Sequence, residues 1–145
     1  MKDLLTAIQT ELQGALSYVR DADIYITEDE DLIPQAVKFP AVALKDGDVE
    51  WEVDASGPTK KQALYVNVIV YVQIVRPEGS VMGDGSHKGV LEIHADIKAE
   101  LDENTLDSEV SDAEIVSEKA SETIGDEKEM IQKKAATYKY ERWNQ

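Results

Sequence analysis

The sequence predicts an α+β fold: an N-terminal helix, a four-stranded mainly antiparallel sheet, a second helix packed on the sheet, and two further C-terminal strands. Three observations predict it. Leu4, Leu5, Ile8, Leu12, Leu16 and Val19 recur at helical spacing. A long β-branched run follows, with Tyr65, Val66, Val68, Ile69, Val70, Tyr71, Val72, Ile74 and Val75. A second helical stripe then appears between Lys88 and Glu103.

The first helix is expected over Leu4 to Val19. Ala22 to Ile26 reads as a short strand, ended by the acidic run Glu28 to Asp31. Pro34 and Pro40 bound an irregular connection, because each biases the residue before it away from helical geometry. Ala41 to Lys45, the turn signal Asp46-Gly47-Asp48 and Val49 to Asp54 read as a hairpin with Val49, Trp51 and Val53 on one face. Ser56 to Thr59 reads as a loop, and Lys61 to Val75 as a central, buried strand.

Arg76-Pro77-Glu78-Gly79 stops that strand, and Gly79 to Gly89, with four glycines, is expected to be a mobile connection. In the second helix Val90, Leu91, Ile93, His94, Ile97 and Leu101 share a face that should pack beside the first helix. Val110, Ile115, Val116 and Ile124 mark one further strand, and Met130 to Trp143 the last.

At 145 residues one domain spanning 1–145 is expected. Thirty acidic against 15 basic residues give a net charge of −15, which opposes binding to nucleic acid or anionic lipid. With no cysteine, disulfides and thiolate metal sites are closed. The longest apolar run, Val68 to Val72, is far shorter than a membrane span, and the first residues lack the continuous apolar core of a signal peptide. A soluble protein made in the cytoplasm is expected. Charge is uneven: residues 21–54 hold eleven acids and two bases, residues 126–142 four acids and five bases.

The candidate chemistry is sparse. His87 and His94 stand seven residues apart, about 10 Å along a helix, too far to share a metal ion. Gly83 to Gly89 looks like an anion-cradling loop, yet Lys88 is followed by Gly89 and not by the Ser or Thr of a phosphate loop. Asp46, Asp48, Glu50, Glu52 and Asp54 offer oxygens to calcium without the spacing of an EF-hand. No GxSxG elbow is present. Neither catalysis nor a cofactor is expected.

With its elements in this order the chain resembles the tail-terminator and tail-completion proteins of long-tailed bacteriophages. The resemblance covers nearly the whole chain. It rests on the opening helix, the proline-led strand Phe39 to Leu44 with its glycine turn, the strand Tyr65 to Val75, the helix Gly89 to Glu103 with Leu101 to Leu106, and the closing strand Ala135 to Arg142. It implies a structural virion protein: a hexameric ring stacked on the last ring of the tail tube, stopping its growth and facing a head-connector protein.

An acidic lumen in such a ring would repel DNA and let the genome pass. Within a ring, Lys133, Lys134, Lys139 and Arg142 are the expected cationic partners of a neighbour's Asp29, Glu30 or Asp31, and the two long strands are expected to pair within and between subunits, with exposed strand edges as templates for ring closure. The alternatives are another head-tail connector component, a soluble adaptor or binding protein that adds a strand to a partner's sheet, and a small hydrolase whose mark would be a polar-lined pocket.

Overall fold

A computed structural model describes residues 1–53, 60–125 and 130–144. The elements are α1 (Lys2–Ala15), a 3₁₀ turn (Asp21–Asp23), β1 (Ile24–Ile26), β2 (Ala41–Val53), β3 (Lys60–Gln73), α2 (Pro77–Met82), α3 (Val90–Leu101), β4 (Asp112–Glu118), β5 (Glu122–Ile124) and β6 (Ile131–Asn144). The fold is α+β with one mixed sheet. Its order is β1-β2-β3-β6-β4, with β5 beside the remaining part of β6, and β1 runs parallel to β2 while every other pair is antiparallel.

The apolar stripes explain the layers. Leu4, Leu5, Ile8 and Leu12 of α1 are buried, and the stripe continues past the helix through Leu16 and Val19. Ile93, Ile97 and Leu101 of α3 join them over Leu64, Val66, Val68 and Val70 of β3 and over Tyr138 and Tyr140 of β6. Each such side chain contributes about 1.5–3 kcal/mol by leaving water. Alternate β3 residues Ile69 and Tyr71 face the other way. There they pack with Ala41, Ala43 and Ala135 under a strap formed by residues 27–39, whose Ile33, Val37 and Phe39 close a second, smaller core.

Three expectations need correction. The hairpin around Asp46-Gly47-Asp48 is one continuous strand, β2, whose two halves pair with the same neighbour. Its register shifts between Asp46, opposite Val66, and Val49, opposite Leu64, so the extra residue is absorbed as a bulge and not as a turn. Gly47 is required there, since a Cβ would lie 2.8 Å from the Tyr65 carbonyl oxygen. The second half reaches Val53; Asp54 and the loop read at Ser56 to Thr59 lie outside the described residues.

The stretch read as a mobile connection begins with α2, because Pro77 occupies the first helical turn, where its missing N–H costs nothing. Gly83, at φ 87°, ends that helix in the left-handed region. The single strand expected between Val110 and Ile124 is two, β4 and β5. The two long strands pair with each other inside the chain, as expected, in continuous register from Lys60 opposite Asn144 to Gln73 opposite Ile131. The free edges of the sheet therefore belong to β1, β2, β4 and β5.

Leu106, Asp107 and Ser108 form a left-handed turn with φ of 53°, 55° and 71°. Such geometry is unfavourable for residues other than glycine. Here it is held by the Asn104 side chain, which accepts from the Leu106 N–H at 2.9 Å and donates to the Glu100 carbonyl at 2.8 Å, and by burial of Leu106 and Val110.

Candidate functional site

The sequence singled out cations of the closing strand and the acidic run after β1, and the fold brings several of them together. Lys133 lies opposite Tyr71 on the strap side of the sheet, and its side chain is 4% exposed. Its ammonium reaches Glu30 Oε1 at 3.1 Å and Asp31 Oδ1 at 3.0 Å on the strap, and Glu122 Oε1 at 3.2 Å on β5. Burial alone would lower the pKa of this amine; hydrogen bonds to the three carboxylates outweigh it and hold the amine charged well above the ordinary lysine range. The pairing expected between subunits is thus made inside one chain. The Tyr71 hydroxyl donates to the Glu30 carbonyl beside it, a second tie between strap and sheet.

Asp23 anchors the other end of the strap. It is 2% exposed and accepts from Arg20 Nε at 2.7 Å, Arg20 Nη2 at 2.9 Å and the Lys38 backbone N–H at 2.9 Å. The Arg20 hydrogen bonds hold its carboxyl below the usual aspartate range, against the opposing effect of burial. A depressed folded pKa gives stability that is present above the unfolded value of about 4 and is lost as pH falls through the folded value. Asp23→Ala is expected to lower stability at pH 7 by about 2 kcal/mol, since it leaves the part-buried Lys38 N–H and the Arg20 guanidinium without their acceptor, and to flatten the acid limb of a stability-versus-pH curve below about pH 4. Urea titrations across pH check both, and an unchanged acid limb would show that Asp23 is not the group responsible.

The remaining predicted residues are placed differently. Lys134 is buried on the helix side of the sheet, its ammonium donating to the Lys119 carbonyl at 2.6 Å. Lys139 and Lys61 both reach Glu141, at 3.3 and 2.9 Å, on the open sheet face. Arg142 donates to Gln62 Oε1 at 2.7 Å and lies 3.7 Å from Glu109. Asp29 shapes the strap through its side chain, which accepts from the Asp31 N–H at 2.9 Å. Apart from the local Asp29–Asp31 and Lys139–Glu141 pairs, these contacts were not legible in sequence, because they depend on the register of β6 against distant segments.

The other candidates form no common site. His94 is buried; its Nε2 donates to the Lys134 carbonyl at 2.7 Å, and burial keeps its pKa below the ordinary histidine value. His87 is exposed, with Nδ1 3.6 Å from Asp84 Oδ1. The Asp84 carboxylate is occupied by the N–H groups of Ser86 and His87, each at 2.8 Å. The β2 acids diverge, since Asp46 lies on the face of Val66 whereas Glu50 and Glu52 lie with Ala63 and Lys61 on the other. Among the described residues, no three His, Cys, Asp or Glu side chains gather as a metal-sized cluster, and no helix is long and apolar enough to cross a membrane.

Two features face outward. Among the described residues no strand lies beside the outer edge of β2 past Leu44, because β1 pairs only with Val42, Ala43 and Leu44. Asp48, Val49, Glu50, Trp51 and Glu52 are all exposed there, Trp51 by 50%. At the opposite end of the sheet a cavity of about 600 Å³ opens between the end of β3, the start of β2 and the loop before α3, lined by Tyr18, Phe39, Val72, Val75, Arg76 and His87 among others.

This arrangement, a mixed sheet with two helices on one face and a strap on the other, has a counterpart among solved structures. A chain in the virion of a native gene transfer agent (GTA) particle superimposes with a TM-score of 0.63 at 13% identity, over 97% of this chain and 95% of that one. At that identity the likeness is one of fold. No family model matches the sequence. No curated protein matches it either.

Proposed function

We propose that this chain is a structural component of a phage-like virion that caps the tail tube as a hexameric ring and helps to join tail to head. The observation that carries this reading is the fold correspondence with a chain of the gene transfer agent virion, which runs nearly end to end in both chains. The order of elements that resembles the tail-terminator family supports the capping role, and free sheet edges on both sides supply surfaces for packing into a closed ring. The site contacts support a non-enzymatic role: the buried Lys133 and Asp23 fasten the strap to the sheet, and the Asp84 carboxylate in the loop before α3 is spent on that loop's own N–H groups.

The test is quantitative mass spectrometry of purified particles from the source. The expected result is about six copies per particle, the number set by a single closed six-fold ring. Absence from mature tailed particles would return the chain to the class of soluble adaptors.

A further inference from the structure

We propose that the distal half of β2, centred on Trp51, docks into the cavity beside Val75 and Arg76 of a second copy of this chain, joining copies head to tail. The inference deepens the ring assignment and rests on it.

Both halves of the contact are exposed and chemically matched. Val49 and Trp51 lie on one face of β2, opposite Leu64 and Gln62 of β3. They are 38% and 50% exposed, on a stretch of strand that β1 does not reach. Trp is the residue most often found where an interface concentrates its binding energy. Along the same stretch of strand Asp48, Glu50 and Glu52 are exposed and acidic, Glu50 and Glu52 on the face opposite Trp51.

The cavity offers the complement. Val75 is 76% exposed at its rim, Phe39, Val72 and Tyr18 supply apolar wall, and about 600 Å³ lies within the range of pockets that take a large group. The charges of the rim divide unequally. Asp84 is taken by backbone N–H groups, Glu92 accepts from the Gly89 N–H, and Lys88 is paired with Asp96 at 2.8 Å while stacking 4.6 Å from the Tyr18 ring. Arg76 is exposed and makes no ion pair among the described residues, so it is the cation left for an acid on the incoming strand.

The two halves belong to different copies for a geometric reason. Trp51 is opposite Gln62, and the cavity begins at Val72 and Gln73 at the far end of the same strand. Eleven residues of strand at about 3.3 Å each separate them by roughly 35 Å. A chain cannot meet its own cavity, whereas a knob at one end and a hole at the other generate a head-to-tail contact that closes into a ring when the rotation per copy permits.

The absence of cysteine makes the test clean. Val49→Cys and Val75→Cys are prepared as separate variants, and each is oxidised alone and mixed with the other. A disulfide-linked dimer in the mixture, absent from either variant alone, is the expected result, together with at least a tenfold weaker self-association of Trp51→Ala by analytical ultracentrifugation. Trp51 is half exposed, so the thermal unfolding of Trp51→Ala should match the parent and separates lost contact from lost fold. If the parent oligomerises but Val49→Cys links to itself, or nothing links in the mixture, the docking is wrong and the ring assignment stands. If the parent is monomeric at every concentration, both fall.

Discussion

Replacing Lys133 by glutamate is expected to unfold the protein at much lower denaturant than the parent, by roughly 2 M in urea. The magnitude follows from the surroundings of the ammonium. Its side chain is 4% exposed and it is the shared cation of Glu30, Asp31 and Glu122. Reversal puts a fourth carboxylate beside three, at a position whose own side chain is almost wholly out of water. Breaking a buried ion pair costs roughly 3–5 kcal/mol by itself, and with about 2 kcal/mol per molar as the urea dependence that loss becomes a shift of about 2 M.

Lys133→Met should lose much less. It keeps the apolar stem, and the three carboxylates, exposed by 32%, 73% and 60%, can turn into solvent. The sign of the pH effect is fixed by the raised amine pKa. The contribution of Lys133 is whole below about pH 10, the ordinary lysine value, and disappears as pH climbs through the higher folded value. A Lys133→Glu midpoint within a few tenths of a molar of the parent would mean that the strap is held by its apolar contacts alone. Reversal of this residue therefore tests folding, whereas the sequence placed its partners on a neighbouring subunit.

That change of meaning illustrates what the sequence could and could not reveal. The helix stripe of α1 and the β-branched run of β3 were legible because burial imposes its period directly on neighbouring residues, 3.6 in one case and near-continuous apolarity in the other. The turn signal at Asp46-Gly47 was misleading for the same local reason. A glycine between two aspartates serves a hairpin and a bulge equally well, and the choice is made by β3, on which both halves of β2 find their partners. Lys133 and Asp23 were invisible as anchors. A lysine on a strand reads as solvent-facing until the register opposite Tyr71 and the strap across it are known. The same holds for the exposed end of β2, whose character depends on β1 being only three residues long.

The second large effect concerns the particle. Growth of a tube by stacking identical rings has no intrinsic end, since each added ring presents the surface that accepts the next; a different ring that binds the last one and offers another face stops it. Loss of such a ring changes the product qualitatively, while the tube subunits themselves are untouched. Tail length also reads the capping step without reference to any contact inside the chain, so it is independent of the strap energetics and of the proposed docking of Trp51.

The most direct test is electron microscopy of particles from a host in which this gene has been deleted in frame, compared with the same host carrying the gene in trans. The capping assignment predicts tails of variable and excessive length, unattached to heads, with uniform length and attachment restored by the gene in trans. Tails of normal, uniform length joined to heads in the deletion strain would contradict it.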